Sequence, residues 1–461
     1  MSHQDEHARG VSTNSVDLLD VLQWLISGVD FRRIRFRKDC SWTPISLVWA
    51  ALCWSWSNET NLVERFHCSQ RLIRHLQGQQ AKRSTSYQAF VKLLRKWTGP
   101  LLESLQASLR QRMENLAPED WRLYGFIVFG VDGTKVELPR TKSNQKTCSI
   151  DRDSSNSGRL RRRKSKDAAS LKKANHPALF LTTIFHVGLQ LPWNWRIGPA
   201  HSSERGHALE MLPQLPTGSL LTADAGFVGY TFVQEVMQQG HQLLIRVGSN
   251  VRLLKKLGYV RESKQTVYVW PNQAVKKNQP PLVLRLVVVQ SSRHPVYLLT
   301  SVTSQRTLTD LQVSKIYRSR WGIEVFHRHL KQTFGRRKLS SQCAANSVIE
   351  LDWSVVGIWA IGTYAVDQLQ QSNISPSKLS MAKALGAFRR IARDYLHPKH
   401  ENESLIQLLA VAIKDEYTRR SKANRDYPRR KRRRKPGKPL IKKAPKKQRE
   451  HAAKIKQLEK G

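Results

Sequence analysis

Two short apolar runs in this chain each end on an aspartate, and that pair limits the fold more than any other feature. Tyr124 to Val131 reads YGFIVFGV and stops at Asp132-Gly133-Thr134. Ser219 to Ala223 is a second run and stops at Asp224-Ala225-Gly226-Phe227. Short runs rich in β-branched and aromatic residues read as buried strands. More strands are expected at 177–188, 190–197, 241–247, 266–270, 282–290 and 296–301, separated by Gly, Pro, Asn and Ser. Helices are expected at 202–212 and 229–239 and from 308 to about 334. A long apolar helix over 347–370 should bury Trp353 and Trp359.

The segment from about 14 to 116 is helical in pattern. Thr43-Pro44 is a helix start, with Thr as N-cap and Pro at the first position. Further helices are expected over 60–76 and 86–113. The basic residues Arg65, Arg71, Arg74, Lys82 and Arg83 read equally as a solvated face or a DNA contact surface.

Charge narrows the partner. The chain has 461 residues with 78 Lys and Arg against 35 Asp and Glu, a net charge of +43. Such an excess repels itself in a compact fold and calls for a polyanion, usually nucleic acid, because each neutralised phosphate releases counterions. No apolar stretch of about 20 residues suggests a membrane span, and the first residues, Met1 to Val16, are polar rather than signal-like. The five cysteines form no C-x-x-C pair and read as reduced thiols, so a cytoplasmic location is expected. Basic residues concentrate in 141–175, read as a mobile loop, and in 419–461, read as a disordered tail making phosphate contacts.

The strongest signal lies further on. Tyr317, Arg320, Glu324 and Lys331 stand at offsets that place them on one helical stripe about 60° wide. A core-facing stripe is normally apolar, so this ionic one faces water or a site. Spacing alone leaves those two readings open.

The stretch from Tyr317 to Lys331, with Trp321 after the arginine and Phe326-His327 after the glutamate, resembles the signature of bacterial insertion-sequence transposases of family four, known by the letters YREK. Asp132 and Asp224 resemble the two upstream aspartates of that family. The likeness covers roughly residues 124–335. It implies an α/β (mixed α+β) fold with a ribonuclease-H-like core, a mixed sheet flanked by helices, interrupted by a β-rich insertion. It also implies a DNA transposase that binds terminal inverted repeats and performs cut-and-paste transposition with two divalent metal ions, Mg²⁺ or Mn²⁺. Three carboxylates suit such ions, because Mg²⁺ prefers oxygen ligands and takes one or two carboxylates. Asp132 would bridge the metals, and Asp224 and Glu324 would each complete one site.

Tyr317, Arg320 and Lys331 are then expected to contact DNA phosphates. Family members stack an aromatic of the insertion on a flipped base. The matching position falls at or beside Val296, so Tyr297 and Trp270 are the candidates, each also explained by sheet packing. His201 and Glu204 resemble a family segment before the second aspartate, with a capping role as the alternative. The expected partners are double-stranded DNA, as transposon ends and target, and a second copy in a paired-end dimer.

The expected organisation is a helical N-terminal DNA-binding domain (1–118), the first part of the catalytic core (119–240), the insertion (241–303), the catalytic helix (304–345), a C-terminal helical region (346–418) and the basic tail (419–461). A non-catalytic DNA-binding remnant is the main alternative, but remnants usually lose a carboxylate and none is missing. A stand-alone nuclease of the same fold accounts less well for the insertion and the basic helical N-terminus. A purely structural basic protein leaves the strand-end aspartates unexplained.

Overall fold

A computed structural model describes residues 13–76, 86–149, 176–290, 294–396, 404–415 and 437–459. Ten strands form one mixed sheet among the described residues, in the order β10-β6-β7-β8-β9-β5-β4-β1-β2-β3. The two runs are neighbours in it, but the first strand starts at Val128 and passes through Asp132 to Glu137 instead of ending there, because pairing with its neighbours continues past the apolar run. Strand β1 (Val128–Glu137) lies parallel to β4 (Leu220–Ala223), and β4 lies parallel to β5 (Gln242–Val247). On the other side, β2 (Ala178–His186) and β3 (Leu191–Pro199) continue the sheet antiparallel. The mixed α/β class expected from the resemblance is therefore the one observed.

Beyond β5 the sheet does not stop. Strands β6 (Arg252–Lys255), β7 (Thr266–Val269), β8 (Leu282–Val289) and β9 (Val296–Thr300) extend it, and β9 returns antiparallel to β5. The β-rich block thus shares its sheet with β1 and β4. Strand β6 was missing from the sequence reading; its four residues, RLLK, are too short and too basic to stand out.

Local sequence explains the helices. Thr43 caps the helix Pro44–Trp56, its Oγ1 accepting from the Ser46 N–H at 3.1 Å. Ser86 caps Tyr87–Leu116 and Ser203 caps Glu204–Met211 in the same way. The long helix Ala344–Gln371 buries Trp353 and Trp359 completely. Their indoles donate to Thr98 Oγ1 at 3.0 Å and Met113 Sδ at 3.1 Å, both on the helix Tyr87–Leu116. The N-terminal helices and this long helix therefore share one core.

That core contains charge. Arg65 is not on a solvated face: it is 5% exposed and pairs with buried Glu350 at 3.4 Å. Glu350 also accepts from the N–H groups of Ser340 and Ser341 at 3.1 and 2.9 Å. Such a cluster is tolerable only because its polar atoms are paired. Lys82 and Arg83, named with Arg65 above, lie outside the described residues.

Two basic segments differ from expectation. The stretch read as a mobile loop begins with a helix, Lys142–Cys148, whose cap Thr141 accepts from Asn144 N–H at 3.3 Å. The rest of it, 150–175, lies outside the described residues. The tail is not structureless over 437–459: Leu440–Lys443 forms β10, parallel to β6, and Lys446–Leu458 is a helix. Backbone pairing to β6 supplies order that tail composition alone does not. The run Arg429 to Lys435 lies outside the described residues. No helix among the described residues is long and apolar enough to cross a membrane.

Asp352 offers a check on the packing of the long helix against β3. It accepts from the Trp195 indole at 2.8 Å. Burial pushes its carboxyl up to about 7, against the opposing pull of Trp195 and Arg196. A carboxyl raised on folding binds its proton more tightly in the native state. Stability then falls as pH rises from about 4, the unfolded value, to about 7. Asp352→Asn should remove about 2 kcal/mol of that decline, after allowance for partial solvent access. Urea melts at pH 4.5 and 8 check this: the variant should gain on the wild type only at the higher pH.

Candidate active site

The register of β1 and β4 sets the geometry. Val131 sits opposite Ala223, so Asp132 and Asp224 are the next residues on adjacent parallel strands. Neighbouring strands are about 4.8 Å apart, and in-register residues of parallel strands point to the same face. Asp224 leaves its strand as the cap of a short turn, Ala225–Phe227, and its Oδ1 accepts from Gly226 N–H at 2.6 Å.

The YREK segment lies along the same strand. Alternate residues of β1 meet successive turns of the segment. A side chain at Gly130 would face Arg320 and Ile323, at 3.6 and 3.9 Å. Asp132 Oδ2 is 3.6 Å from His327 Nδ1, and Thr134 Oγ1 accepts from Lys331 Nζ at 2.6 Å. The two-residue period of the strand thus matches the turns of the helix. Gly322 leaves room for the Gln190 side chain, whose Oε1 would stand 2.3 Å from an added Cβ.

The segment is not one continuous α-helix. It runs as Asp310–Ser319, then Trp321–Arg328, then a π-helical turn His329–Thr333 that carries Lys331. π-turns widen a helix locally and recur at functional sites. The single stripe read from ideal spacing therefore becomes a connected row. The Arg320 guanidinium lies 5.5 Å from the centre of the Tyr317 ring and donates to Glu324 Oε1 at 2.7 Å. Burial works against the Arg320 charge, but Tyr317, Glu324 and Asp132 outweigh it and hold its pKa above the ordinary value. Burial, then Arg337, lowers that of Lys331. Burial raises that of Tyr317 despite the nearby charges of Arg320 and Arg246.

A fourth carboxylate approaches from the other face. Glu204 lies at Gly133, where a Cβ would come within 2.6 Å of Glu204 Oε1. Burial, then the charges of Asp132 and Asp224, pushes its carboxyl up to about 7. The backbone N–H of Gly133 and Arg205 pull the other way. Of the pair His201 and Glu204, the structure brings Glu204 to the site, while His201 is exposed. The sequence reading gave no role to His327 or Arg246. Their signal was present: His327 follows Glu324 by three residues on the same helix face, and Arg246 stands near the end of the strand beside β4.

The stacking candidates separate. Trp270 is 4% exposed, its indole donates to Gln279 O at 2.8 Å, and its ring lies 5.6 Å from that of His451. That is a packing position with no free ring face. Tyr297 is half-buried on β9, opposite Val247 and Val288. Trp321, placed by sequence only as a motif neighbour, is 59% exposed.

No three His, Cys, Asp or Glu side chains among the described residues are already gathered as a metal-ligand set. Glu324 is turned toward Arg320 instead. The donor chemistry still fits a hard divalent cation: carboxylate oxygens from the middle of β1 and from just past the end of β4, close enough that their charges add to burial in raising the Glu204 carboxyl.

Asp132 within β1 and Asp224 just past β4 thus lie side by side, with the segment that carries Glu324 packed along β1. The chain belongs to the transposase DDE domain family, whose model matches residues 125–355, half of the chain. It is similar to transposase InsG for insertion sequence element IS4 of Escherichia coli (strain K12), at 23% identity over 207 residues. That alignment covers 42% of this chain and 46% of the relative. The relative agrees with the family-four resemblance drawn from the YREK segment. Among solved structures, a cryo-EM structure of the piggyBac transposase synaptic complex with hairpin DNA matches at 11% identity and a TM-score of 0.38, covering 90% of this chain and 88% of that one. A likeness at that level adds nothing to the fold described above.

Proposed function

We propose that this chain is a cut-and-paste DNA transposase that binds terminal inverted repeats, with Asp132, Asp224 and Glu324 as its catalytic carboxylates. The sheet order β3-β2-β1-β4-β5 is read as its ribonuclease-H-like core, with β6 to β9 as the insertion. The observation that carries this reading is the in-register placement of Asp132 and Asp224, with the YREK segment laid along β1. Two divalent cations, Mg²⁺ or Mn²⁺, would be held by the three carboxylates. When bound, they supply activation of the attacking oxygen and stabilisation of the leaving one.

The chain's own residues then have distinct tasks. His327, with Nδ1 3.6 Å from Asp132 Oδ2, helps to position that carboxylate. Arg320 leaves Glu324 for a DNA phosphate, a bidentate partner of the same geometry, and so frees the glutamate to turn toward the aspartates. The Tyr317 ring keeps the guanidinium in place through that exchange. Lys331, held by Thr134, offers a point charge to a second phosphate. Water attacks the phosphorus at the transposon end, the new P–O bond forms, and the bond to the 3′ oxygen breaks. The freed 3′ hydroxyl next attacks either the opposite strand, giving a hairpin as the family resemblance implies, or target DNA. Tyr297 remains the candidate for stacking a displaced base, and a dimer joining two ends is the assembly expected.

Nicking of a terminal-repeat duplex with Mg²⁺ tests the assignment. Glu324→Gln should lower the rate at least about a hundredfold, the scale of losing one group that stabilises developing charge. A rate close to wild type removes Glu324 from the site.

A further inference from the structure

The C-terminal segment 437–459 comes about 140 residues after β9 in sequence, yet it completes the sheet beyond β6. Its docking is specific. Leu440 N–H donates to Val251 O at 2.9 Å and Ala444 N–H to Lys255 O at 2.8 Å. Ala444, Ala452 and Ile455 are buried. The helix Lys446–Leu458 lays His451 against Trp270, and Glu459 accepts from the Tyr259 hydroxyl. One helix face is thereby used up. The opposite face exposes Lys446, Lys447, Arg449 and Lys454, and β6 adds exposed Arg252 next to β10. Over 437–459 there are eight Lys and Arg against two acids, Glu450 and Glu459. Glu450 only reaches Lys446 at 3.9 Å, on the surface, and such a contact cancels little.

From this docked geometry we infer that the C-terminal strand and helix, mounted on the insertion, form a sequence-independent surface for the phosphate backbone of duplex DNA. It stands on a different part of the sheet from the carboxylates. The inference rests on the DNA-transposase reading. A strand holds the segment in register and the helix spreads four cations over its solvent-facing half, so the surface acts as a fixed arm rather than a loose polycation. Duplex DNA fits such a face because its phosphates are closely and regularly spaced. Lysines on β10 also discourage pairing of a free sheet edge, which is why the test uses the helix residues alone.

The experiment uses the full chain and a labelled duplex of random sequence, titrated over a range of salt. The quadruple variant K446Q/K447Q/R449Q/K454Q should bind about tenfold or more weakly at low salt. Its plot of log affinity against log salt should be shallower by about two to four units, since each phosphate contact contributes about 0.9. Its thermal midpoint should match the wild type, because none of the four is buried. A second variant, Ile455→Asp, should expose the segment to trypsin and lose affinity to a similar degree. Wild-type binding that the quadruple variant equals in strength and slope overturns the surface alone. A wild-type chain that binds no duplex overturns the surface together with the DNA reading.

Discussion

Asp132→Asn should abolish end cleavage, lowering its rate by about a thousandfold or more, while the chain stays folded. The size follows from chemistry: removing one charge that stabilises a developing oxyanion costs about 4 kcal/mol of barrier or more, and each 1.36 kcal/mol is tenfold. The fold is spared because little rests on this carboxylate. It is 22% exposed, and its contact with His327 is at 3.6 Å. Asparagine keeps the shape and loses the charge. The gel assay for nicking should therefore be read beside a thermal melt. Loss of cleavage with an unchanged melt supports a catalytic role. Retained cleavage removes Asp132 from the site.

Arg336→Met should have the largest effect on stability. Arg336 is 3% exposed and donates to Phe334 O at 2.8 Å, Ser55 O at 2.9 Å and Ser354 Oγ at 3.0 Å. Burial, then Arg65, lowers its pKa to about 9, with Glu350 opposing. The guanidinium thus joins the end of the YREK segment to the helix Pro44–Trp56 and the long helix Ala344–Gln371. Methionine fills much of the volume but leaves three acceptors without a donor. Breaking a buried polar cluster in this way costs about 3 kcal/mol or more. Relief of the repulsion with Arg65 offsets part of that cost. The urea midpoint should fall accordingly, and nicking should weaken because the helix that carries Glu324 loses its anchor. An unchanged midpoint would mean that N-terminal helices and core are not joined through this residue.

The sequence was informative where a local rule is strict. Thr43-Pro44, Ser86 and Ser203 mark helix starts because capping is a matter of neighbouring residues. Alternating and apolar runs located β2 to β5 and β7 to β9, since side-chain period and burial are written in the run itself, whereas β1 was legible only over Val128–Val131 because its second half, DGTKVE, is mostly polar. What failed depended on distant partners. Strand β10 is four residues, LIKK, and becomes a strand only because β6 lies beside it. Arg65 looked like surface charge because Glu350, its partner, is 285 positions away. The site divided in the same manner. The row from Tyr317 to Glu324 could be drawn from helical spacing, but the π-turn under Lys331 shifts the last member. Glu204 had only a weak motif likeness, and its approach to Asp132 follows from the missing side chain of Gly133.

On the proposed reading, Asp132, Asp224 and Glu324 hold divalent cations together when DNA is bound. Mn²⁺ binding followed by electron paramagnetic resonance, on the full chain with a terminal-repeat duplex, measures this most directly. Two ions per active site are expected in the wild type, and a reduced count in Asp132→Asn, Asp224→Asn and Glu324→Gln alike. Equal Mn²⁺ occupancy in the wild type and all three variants would contradict it.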